Sequence, residues 1–335
     1  MHTEQEIIHQ TETLISTVSL IERQGSELAA VLSDQIACDE LIFTGCGSSY
    51  YIALSAAAYA NRVLKIPSRA LVSSEILLSP ETVLLKERRR VAVVFSRSGE
   101  TTEALLAAKK LKDEYGSLLL GITCTPESTV STIADFVLDL NVPEESVAMT
   151  RTFTAMLLSI TMLINKMGAK SNTHVKECVN EVPSLIGISR GCFDALDLSL
   201  YEHVELLGTG ELVGVVYEGA LKCKEMAKCL ATGYPAMDYR HGPKTLASSK
   251  TLIIIQKTRS SENSLSTLTE ELRGIGATVL TIGPQNSDII TCEKTDEGED
   301  AFYRVVPLQL LSLALSKVKG LDPDNPANLT RVVKL

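Results

Sequence analysis

Apolar and polar residues follow one another along the chain in blocks that predict strands and helices in turn. Short, uninterrupted apolar runs are each followed by a polar or glycine-bearing loop and then by a helical stretch. Four such runs are VAVVFS (91–96), LLLGIT (118–123), TLIIIQ (251–256) and TVLTIG (278–283). A strand that is covered by helices on both faces is apolar throughout, so these runs predict buried parallel strands in an α/β fold.

The same order of elements occurs twice. Residues 40–60 predict a strand, a glycine-bearing turn and a helix, and residues 204–226 predict the same three elements. Residues 90–123 and residues 250–283 both predict a strand, a loop, a helix and a strand. The second member of each pair follows the first after about 160 residues, which indicates a duplicated α/β unit.

The remaining stretches connect and extend these units. Helices are expected at 151–168, at 175–195 and over the apolar segment 301–320, after which the prolines of DPDNP exclude a continuous helix. The expected organisation is an N-terminal helical segment (1–28), a first α/β domain (29–170), a linker helix with a second α/β domain (171–316) and a tail (317–335).

Composition narrows the class of protein without identifying it. With 45% hydrophobic and 22% charged residues, the 335-residue chain is globular rather than disordered. A net charge of −9 argues against a nucleic-acid binder, which presents a basic stripe. An anionic ligand must therefore be attracted by local groups, against the overall charge.

The eight cysteines do not predict a metal site. No pair has the CxxC spacing, and Cys124, Cys223 and Cys229 lie in apolar or helical runs, where a free cysteine packs as a small core residue. The N-terminus has no apolar signal core, and the apolar stretches are interrupted before they reach the length of a membrane span. A cytoplasmic chain without a membrane segment, metal ion or cofactor is expected.

Two hydroxyl-rich loops are candidates for phosphate binding. SRSGETT (96–102) lies between a strand and a helix, and GCGSS (45–49) follows the first strand in the same way. Hydroxyls, glycines and the free N–H groups of a helix start bind an anion without a large positive patch. The candidate residues are Gly47, Ser48, Ser49, Ser96, Arg97, Ser98 and Thr101. The alternatives are that the hydroxyls only cap their helices and that Arg97 faces solvent.

Three charged residues share one face of a predicted helix. Glu218, Lys222 and Glu225 stand at positions i, i+4 and i+7. This spacing is commonest as a ladder of surface ion pairs. The helix, however, starts at the carboxyl end of a strand, where parallel sheets bind ligands. A glutamate placed there acts as a general base toward a C–H proton next to a carbonyl, so both interpretations stay open.

His241 is the candidate among the five histidines for proton transfer. It lies in the polar turn MDYRHGPKTL, between a predicted helix and a predicted strand. An isolated histidine in a turn is most often solvated. An imidazole within a site, in contrast, exchanges a proton near neutral pH, as the opening of a sugar ring requires.

Six motifs, in order along nearly the whole chain, resemble those of the sugar isomerase (SIS) family with two SIS units in tandem. They are GCGSSY (45–50), SRSGET (96–101), VAMTRTF (147–153), YEGALKCKE (217–225), RHGP (240–243) and DPDNPANLTRVV (322–333). The resemblance is strongest to the isomerase half of glucosamine-6-phosphate synthases and to SIS-type glucosamine-6-phosphate deaminases. It implies two parallel sheets, each in a flavodoxin-like, three-layer α/β/α arrangement.

The resemblance also implies roles for individual residues. The phosphate of a hexose 6-phosphate would be surrounded by Ser49, Ser96, Arg97, Ser98 and Thr101, and the sugar would be lined by Val147 and Ala148. Glu225 would transfer a proton between C1 and C2, with Glu218 and Lys222 as its neighbours on the helix. His241 would open the sugar ring from a second subunit, which implies a homodimer.

Three features depart from the synthase pattern. Arg97 stands where that pattern has glutamine. Arg331 aligns with a lysine that forms a Schiff base, an imine that a guanidinium does not form readily, and Lys334 replaces that lysine only if the tail is shifted. No amidotransferase domain precedes the first unit in this sequence, so synthesis of glucosamine 6-phosphate from glutamine is not expected.

The leading expectation is an enzyme that deaminates glucosamine 6-phosphate to fructose 6-phosphate and ammonia. The residues expected to carry the reaction are Glu225, His241, Glu218, Lys222 and Arg331. The alternatives are an aldose–ketose isomerase of an amino- or deoxy-hexose 6-phosphate, a deglycase of fructosamine 6-phosphates and a non-catalytic sensor of sugar phosphates. The motif at 147–153 does not separate the isomerases from the deaminases.

Overall fold

The computed structural model describes residues 1–34, 38–292 and 298–334. The chain divides into two compact units. The N-terminal unit comprises Glu12–Glu144, Arg151–Thr173 and Thr330–Leu335. The C-terminal unit comprises Met1–Thr11, Glu145–Thr150 and His174–Leu329.

Helices and strands follow one another along most of the described chain. The helices are α1 (His2–Ile8), α2 (Gln10–Asp34), α3 (Ser48–Leu64), α4 (Ser73–Leu78), α5 (Pro80–Val83), α6 (Thr102–Asp113), α7 (Thr129–Ile133), α8 (Arg151–Met167), α9 (Thr173–Asp194), α10 (Leu212–Ala227), α11 (Glu262–Gly274), α12 (Ala301–Arg304) and α13 (Val306–Val318). The strands are β1 (Glu40–Gly45), β2 (Ser68–Val72), β3 (Arg90–Ser96), β4 (Leu118–Thr123), β5 (Phe136–Asp139), β6 (His203–Gly208), β7 (Leu230–Pro235), β8 (Thr251–Gln256), β9 (Thr278–Gly283) and β10 (Ile289–Ile290). Short 3-10 turns span Leu198–Leu200, Asp238–Arg240 and Pro243–Leu246.

The N-terminal unit is built on a parallel sheet with the strand order β2-β1-β3-β4-β5. Every residue of β3 is buried, which explains why its sequence is apolar without alternation. Ile42 and Val94 of the sheet pack with Leu111 of α6 in one buried cluster. The order of the strands reverses direction between β1 and β3, and doubly wound sheets bind their ligands at the carboxyl ends of two such strands.

The C-terminal unit repeats this topology. Its sheet has the order β10-β9-β8-β6-β7, and all of its neighbouring strands are parallel. Counted from the first strand of each unit, both sheets have the flavodoxin-like order 2-1-3-4-5. Ile253 and Ile255 of β8 pack with Leu268 of α11 in the core of this unit. The predicted α/β fold with two parallel, helix-flanked sheets is confirmed.

Glycine permits the tight passage from strand to helix in the N-terminal unit. Gly45 ends β1, and α3 starts at Ser48. A Cβ atom at Gly45 would lie 2.7 Å from the backbone carbonyl carbon of Ser49, closer than such atoms approach. The first turn of α3 therefore lies directly against the end of the strand.

Two predicted helices differ in their limits. The helix predicted at the end of the 204–226 unit begins at Leu212 and ends at Ala227, because Lys228 has the left-handed φ of +45° and β7 begins at Leu230. The helix expected over 301–320 is divided into α12 and α13, with Pro307 near the start of α13.

The expectation about apolar stretches needs one correction. Residues Ala301–Val318 are long and apolar enough to cross a membrane by length and composition. Of this window, 83% is buried inside the protein, as is common for the core helix of a globular protein.

Candidate functional site

The two hydroxyl-rich loops follow neighbouring strands of the N-terminal unit. GCGSS follows β1, SRSGET begins at the last residue of β3, and these two strands pair directly. Gly47 precedes α3 with φ of +54°, a conformation that glycine adopts without strain, and the space beside its Cα is open. Both loops therefore lie at the point of the sheet where a ligand is expected.

No hydroxyl occupies the N-cap of α3, and the one at the N-cap of α6 does not cap it. Gly47 stands before α3, and Thr101 before α6 makes no side-chain capping hydrogen bond. Ser96 is only 2% exposed, and its hydroxyl has no hydrogen-bond partner among the described residues. A buried hydroxyl without a partner is costly unless a ligand or a water completes it. Ser96 thus has the environment of a binding residue.

The other predicted phosphate residues line the same two loops. Ser48 and Ser49 are buried in the first turn of α3. Ser98 is half-buried, and its hydroxyl accepts a hydrogen bond from the N–H of Glu100 at 3.1 Å. This bond shapes the loop between β3 and α6.

Arg97 makes its polar contacts within the protein and does not face solvent. One guanidinium nitrogen lies 2.9 Å from the Glu144 carboxylate, and the other donates a hydrogen bond of 3.0 Å to the carbonyl of Arg331. The Glu144 side chain is fully buried. A contact between Arg97 and phosphate stays a prediction, and it competes with these partners.

The charged face of α10 is buried, so it is not a surface ladder. Lys222 and Glu218 are fully buried, Glu225 is 14% exposed, and Lys222 Nζ lies 3.3 Å from Glu218 Oε1. Lys222 also donates a short hydrogen bond to Glu225. Burial alone would lower the pKa of Lys222, but the carboxylates of Glu218 and Glu225 raise it above its ordinary value. The three groups form one compact, charged cluster in the C-terminal unit.

His241 lies in a different environment from this cluster. It is exposed at the end of a 3-10 turn, and its N–H donates to the carbonyl of Asp238 at 2.8 Å. Its neighbours Arg240 and Lys244 both pair with Glu271 of α11, at 2.7 Å each. These two ion pairs hold the turn against the helix and leave the imidazole open to solvent.

The segment with Val147 and Ala148 belongs to the C-terminal unit. The Glu6 carboxylate accepts hydrogen bonds from the N–H groups of Glu145 and Ser146, at 2.5 and 3.1 Å. Gln309 of α13 donates to the carbonyl of Thr150 at 3.0 Å. Ala148 is 1% exposed. The segment predicted to line the sugar is thus fixed at both ends.

Sequence reasoning missed the residues that position these segments. Glu6, Glu144 and Gln309 carry no motif, and their partners are distant in the chain. Glu144 lies 47 residues from Arg97, and Gln309 lies 159 residues from Thr150. Local sequence patterns contain no information on such pairs. The acidic residues Glu6 and Glu144 were the weak signal available, but their burial is seen only in the structure.

The described cysteines and acidic residues give no sign of a metal centre. All eight cysteines are free, and Cys124, Cys223 and Cys229 are buried, as predicted for core residues. Within the described ranges, no group of three or more His, Cys, Asp and Glu side chains is close enough to hold a metal ion.

A cavity of about 510 Å³ lies elsewhere in the C-terminal unit. It is lined by residues of α1, α9 and α13, among them Glu4, Arg190 and Lys317. None of the residues predicted for the site lines it.

The SIS domain family model matches residues 36–166 and 198–318. The chain belongs to the SIS domain family. The two matched segments contain the two sheets, and each SIS domain thus has the same strand order.

Curated SIS relatives are longer than this chain. The isomerizing glutamine–fructose-6-phosphate aminotransferase of Pyrobaculum aerophilum is 30% identical over 98% of this chain and 56% of its own length. The protein of the same name from Pyrococcus horikoshii is 31% identical over 88% of this chain and 52% of its own length. The chain spans about half the length of the curated relatives it matches.

Solved SIS structures match the chain over its whole length. Glucosamine-6-phosphate deaminase from Thermotoga maritima has a TM-score of 0.88 and 34% identity, with 100% of both chains covered. Tagatose-6-phosphate ketose/aldose isomerase from Escherichia coli has a TM-score of 0.84 and 25% identity, over 97% of this chain and 95% of the other. The chain therefore shares the fold of these solved structures along nearly all of its length.

Proposed function

We propose that this SIS protein deaminates glucosamine 6-phosphate to fructose 6-phosphate and ammonia. The loops after β1 and β3 bind the phosphate, Glu225 transfers the proton between C1 and C2, and His241 assists ring opening. The reaction is a proton transfer followed by hydrolysis, for which the solvent supplies water.

The observation that carries the proposal is the pair of loops at the strand reversal. Two helix starts, open space at Gly47 and the buried Ser96 hydroxyl lie at the ends of two paired strands, and this hydroxyl has no hydrogen-bond partner in the part of the chain that the structure describes. Helix starts offer N–H groups and the positive end of the helix dipole, which suit a phosphate dianion. This arrangement fits an anionic substrate in a chain whose net charge is −9.

The proton-transfer step uses the carboxylate of Glu225. In the open-chain sugar, the C1 aldehyde acidifies the C2–H bond. Glu225 takes this proton, the C–H electron pair forms a C1–C2 double bond, and the aldehyde oxygen takes up a proton from water to give an enolamine and hydroxide. Return of the proton from Glu225 to C1 gives the C2 iminium ion. The hydroxide adds to C2, its proton passes to nitrogen, and ammonia leaves as the C2 carbonyl forms. Lys222, in contact with Glu225, holds the carboxylate in one position.

Two neighbours favour different forms of this chemistry. The deaminase from Thermotoga maritima supports the loss of ammonia, because it matches all of this chain at 34% identity. The tagatose-6-phosphate isomerase from Escherichia coli, at 25% identity, favours aldose–ketose isomerisation as the second candidate. Both reactions begin with the same proton transfer, so they differ in the fate of the substituent at C2.

The test is a coupled assay of ammonia and ketose on a panel of phosphosugars. Glucosamine 6-phosphate is expected to yield both products in equal amounts. E225Q should lower kcat by about 10²- to 10⁴-fold, the range for loss of a general acid–base group, while E270Q, at an exposed position of α11, should leave it unchanged.

Each other outcome of this assay identifies an alternative. Ketose formation from an aldose phosphate without ammonia would favour an isomerase. Turnover of fructosamine 6-phosphates alone would favour a deglycase. A ligand-induced rise in Tm with no turnover on any member of the panel would favour a sensor.

We also propose that His241 acts in a homodimer, from the partner subunit. His241 is exposed, and the chain around it presents the apolar side chains Leu230, Met237 and Leu246, which are 68%, 38% and 53% exposed. Exposed apolar residues grouped in one segment are typical of an interface.

A mixing experiment tests this arrangement. E225Q and H241N are each expected to be inactive as homodimers. Mixed dimers should regain activity, because one site then combines an intact Glu225 with an intact His241 from the other subunit. If no activity returns although mass spectrometry shows mixed dimers, His241 does not act across the interface.

A further inference from the structure

Residues 330–334 contact the phosphate-binding loop within the N-terminal unit. Arg97 donates a hydrogen bond to the carbonyl of Arg331 at 3.0 Å, and the N–H of Thr102 donates to the carbonyl of Val333 at 3.3 Å. The Arg331 guanidinium in turn donates a short hydrogen bond to the carbonyl of Glu144. The segment is therefore attached to the loop after β3 at two points and to Glu144 at a third.

Glu144 is the residue on which these contacts converge. Its carboxylate is fully buried and accepts hydrogen bonds from Arg97 Nη1 at 2.9 Å, from the N–H of Thr152 at 3.2 Å and from the hydroxyl of Thr152 at 2.5 Å. A buried ion pair is stable only when its polar atoms are hydrogen-bonded, and these hydrogen bonds then restrict both side chains to one arrangement. Arg97 is held in one orientation by this carboxylate.

The tail contributes charge as well as hydrogen bonds. The pKa of Glu100, in the same loop, is lowered chiefly by hydrogen bonds from the N–H and hydroxyl of Thr129, and the nearby charge of Lys334 lowers it further. Thr102, whose N–H donates to the carbonyl of Val333 in the tail, is the first residue of α6. The tail thus contacts the helix start that the proposed function assigns to the phosphate.

We propose that Arg97 is a positioning residue that holds segment 330–334 on the phosphate-binding loop, and that it affects the substrate only through this segment. The guanidinium contacts a fully buried carboxylate and a carbonyl of the tail, and these contacts join the loop to the segment. Arg331 is held in the same network through the carbonyl of Glu144. The proposal rests on the proposed function only for the identity of the ligand, since the contacts themselves involve no ligand.

The first test measures the attachment of the tail without any substrate. Trypsin cleaves after Arg331 and Lys334, and intact mass spectrometry follows the loss of the tail from the full chain. R97Q should speed the cleavage after Arg331 by tenfold or more, because native-state proteolysis follows the population of the detached segment. The matched control is R69Q, which removes another arginine–carboxylate pair of the same unit, that of Arg69 with Glu40 at 2.8 Å. R69Q should cleave like the wild type.

The second test separates action through the tail from direct contact with phosphate. In the full chain, R97Q should raise KM for glucosamine 6-phosphate severalfold and change kcat less. In a chain that ends at residue 329, R97Q should change KM no further, because the segment on which Arg97 acts is absent. Protection of the chain by inorganic phosphate in a thermal melt gives the same comparison if turnover is not found.

Two results would overturn the proposal. Equal tail cleavage in R97Q and the wild type would show that Arg97 does not hold the segment. An equal loss of phosphate affinity in the full and the shortened chain would show that Arg97 contacts the phosphate itself. Neither result bears on whether the chain deaminates glucosamine 6-phosphate, which the product assay decides separately.

Discussion

The two SIS domains share a strand order but differ where the first strand meets its helix. Gly47 and Gly210 occupy matching positions, with φ of +54° and +55°. The next residue is Ser48 in the N-terminal unit and Glu211 in the C-terminal unit, and Glu211 is only 3% exposed. A carboxylate at a helix start takes the place of an external anion and repels a phosphate. Under the proposed function, one duplicated turn therefore accepts an anion, and the other holds a carboxylate of its own.

The loops after the third strand of each sheet differ in the same sense. In the C-terminal unit, the hydroxyls of Thr258 and Ser261 hydrogen-bond each other at 2.9 Å, and each also accepts a hydrogen bond from the other's N–H. In the N-terminal unit, the Ser96 hydroxyl has no such partner within the described residues. The two hydroxyls thus complete the loop of the C-terminal unit, whereas in the N-terminal unit the hydroxyl of Ser98 accepts from Glu100 within its loop and that of Ser96 is left for another partner.

The helices that follow the first strands, α3 and α10, carry different side chains at matching positions. Counted from the glycine that ends each strand, Ser55, Tyr59 and Arg62 of α3 match Glu218, Lys222 and Glu225 of α10. Tyr59 donates a hydrogen bond to Asn165 at 2.6 Å, whereas Lys222 pairs with two carboxylates. The duplication thus kept the backbone, while the charged cluster lies on one copy alone. Under the proposed function, one domain binds the phosphate and the other carries the proton.

Among the changes that test this comparison, the largest loss of stability is expected from substitution of the buried Lys222. K222M removes the cation and leaves two carboxylates on the buried face of α10, so it should lower the free energy of unfolding by about 3–5 kcal/mol. The matched change in α3, Y59F, removes a hydroxyl that donates to Asn165 and accepts from Lys170, and it should cost only about 1–2 kcal/mol. Urea unfolding at pH 7 measures both. Equal losses for the two variants would mean that the charged cluster is no more demanding than its neutral counterpart.

The next effect concerns Glu205, which stands in β6 where Ile42 stands in β1. Glu205 is 3% exposed, one carboxylate oxygen has no hydrogen-bond partner among the described residues, and burial raises its pKa to about 7. The fold therefore favours the protonated form. The resulting stability is fully present below the pKa of about 4.5 of the unfolded chain, and it is lost as the pH rises to about 7.

E205Q tests this pH dependence with a neutral side chain of the same size. Relative to the wild type, E205Q should gain stability as the pH rises from 4.5 to 7, reaching about 3 kcal/mol, and the gain should stay constant above pH 7. Urea unfolding of both proteins at pH 5, 6, 7 and 8 measures the difference. I42V in β1 is the control and should change stability equally at every pH. A difference for E205Q that does not vary with pH would contradict a buried, titrating carboxyl.

Much of the fold could be predicted from the sequence, because central parallel strands are apolar throughout. The edge strands β2 and β7 were not predicted, since SRALV and LATGYP mix polar and apolar residues on partly exposed strands. The buried carboxyl of Glu205 was not predicted either, because one acidic residue within VELLG does not change the apolar pattern of a buried strand.

The candidate site was also predictable only where its residues are close together in the sequence. The hydroxyl loops and the charged face of α10 are local in sequence, so their residue types and spacing indicated them. The contacts of Arg97 with Glu144 and with the carbonyl of Arg331 span 47 and 234 residues, and no local pattern carries them. Whether a charged face is buried also depends on packing, which decided between a surface ladder and an internal cluster.

The smallest expected effect compares the two hydroxyl loops directly. S96A removes a hydroxyl that has no hydrogen-bond partner within residues 1–34, 38–292 and 298–334, so the free protein should lose little stability. KM for glucosamine 6-phosphate should rise by about 10- to 100-fold, since a hydrogen bond to a charged group contributes about 1.5–3 kcal/mol. S261A removes a hydroxyl that completes its own loop, so it should lower stability by about 1 kcal/mol and leave KM unchanged. Steady-state kinetics and urea unfolding of both variants separate the two roles. If S261A raised KM as much as S96A, both loops would contribute to substrate binding, and the division between a phosphate-binding and a proton-carrying domain would be wrong.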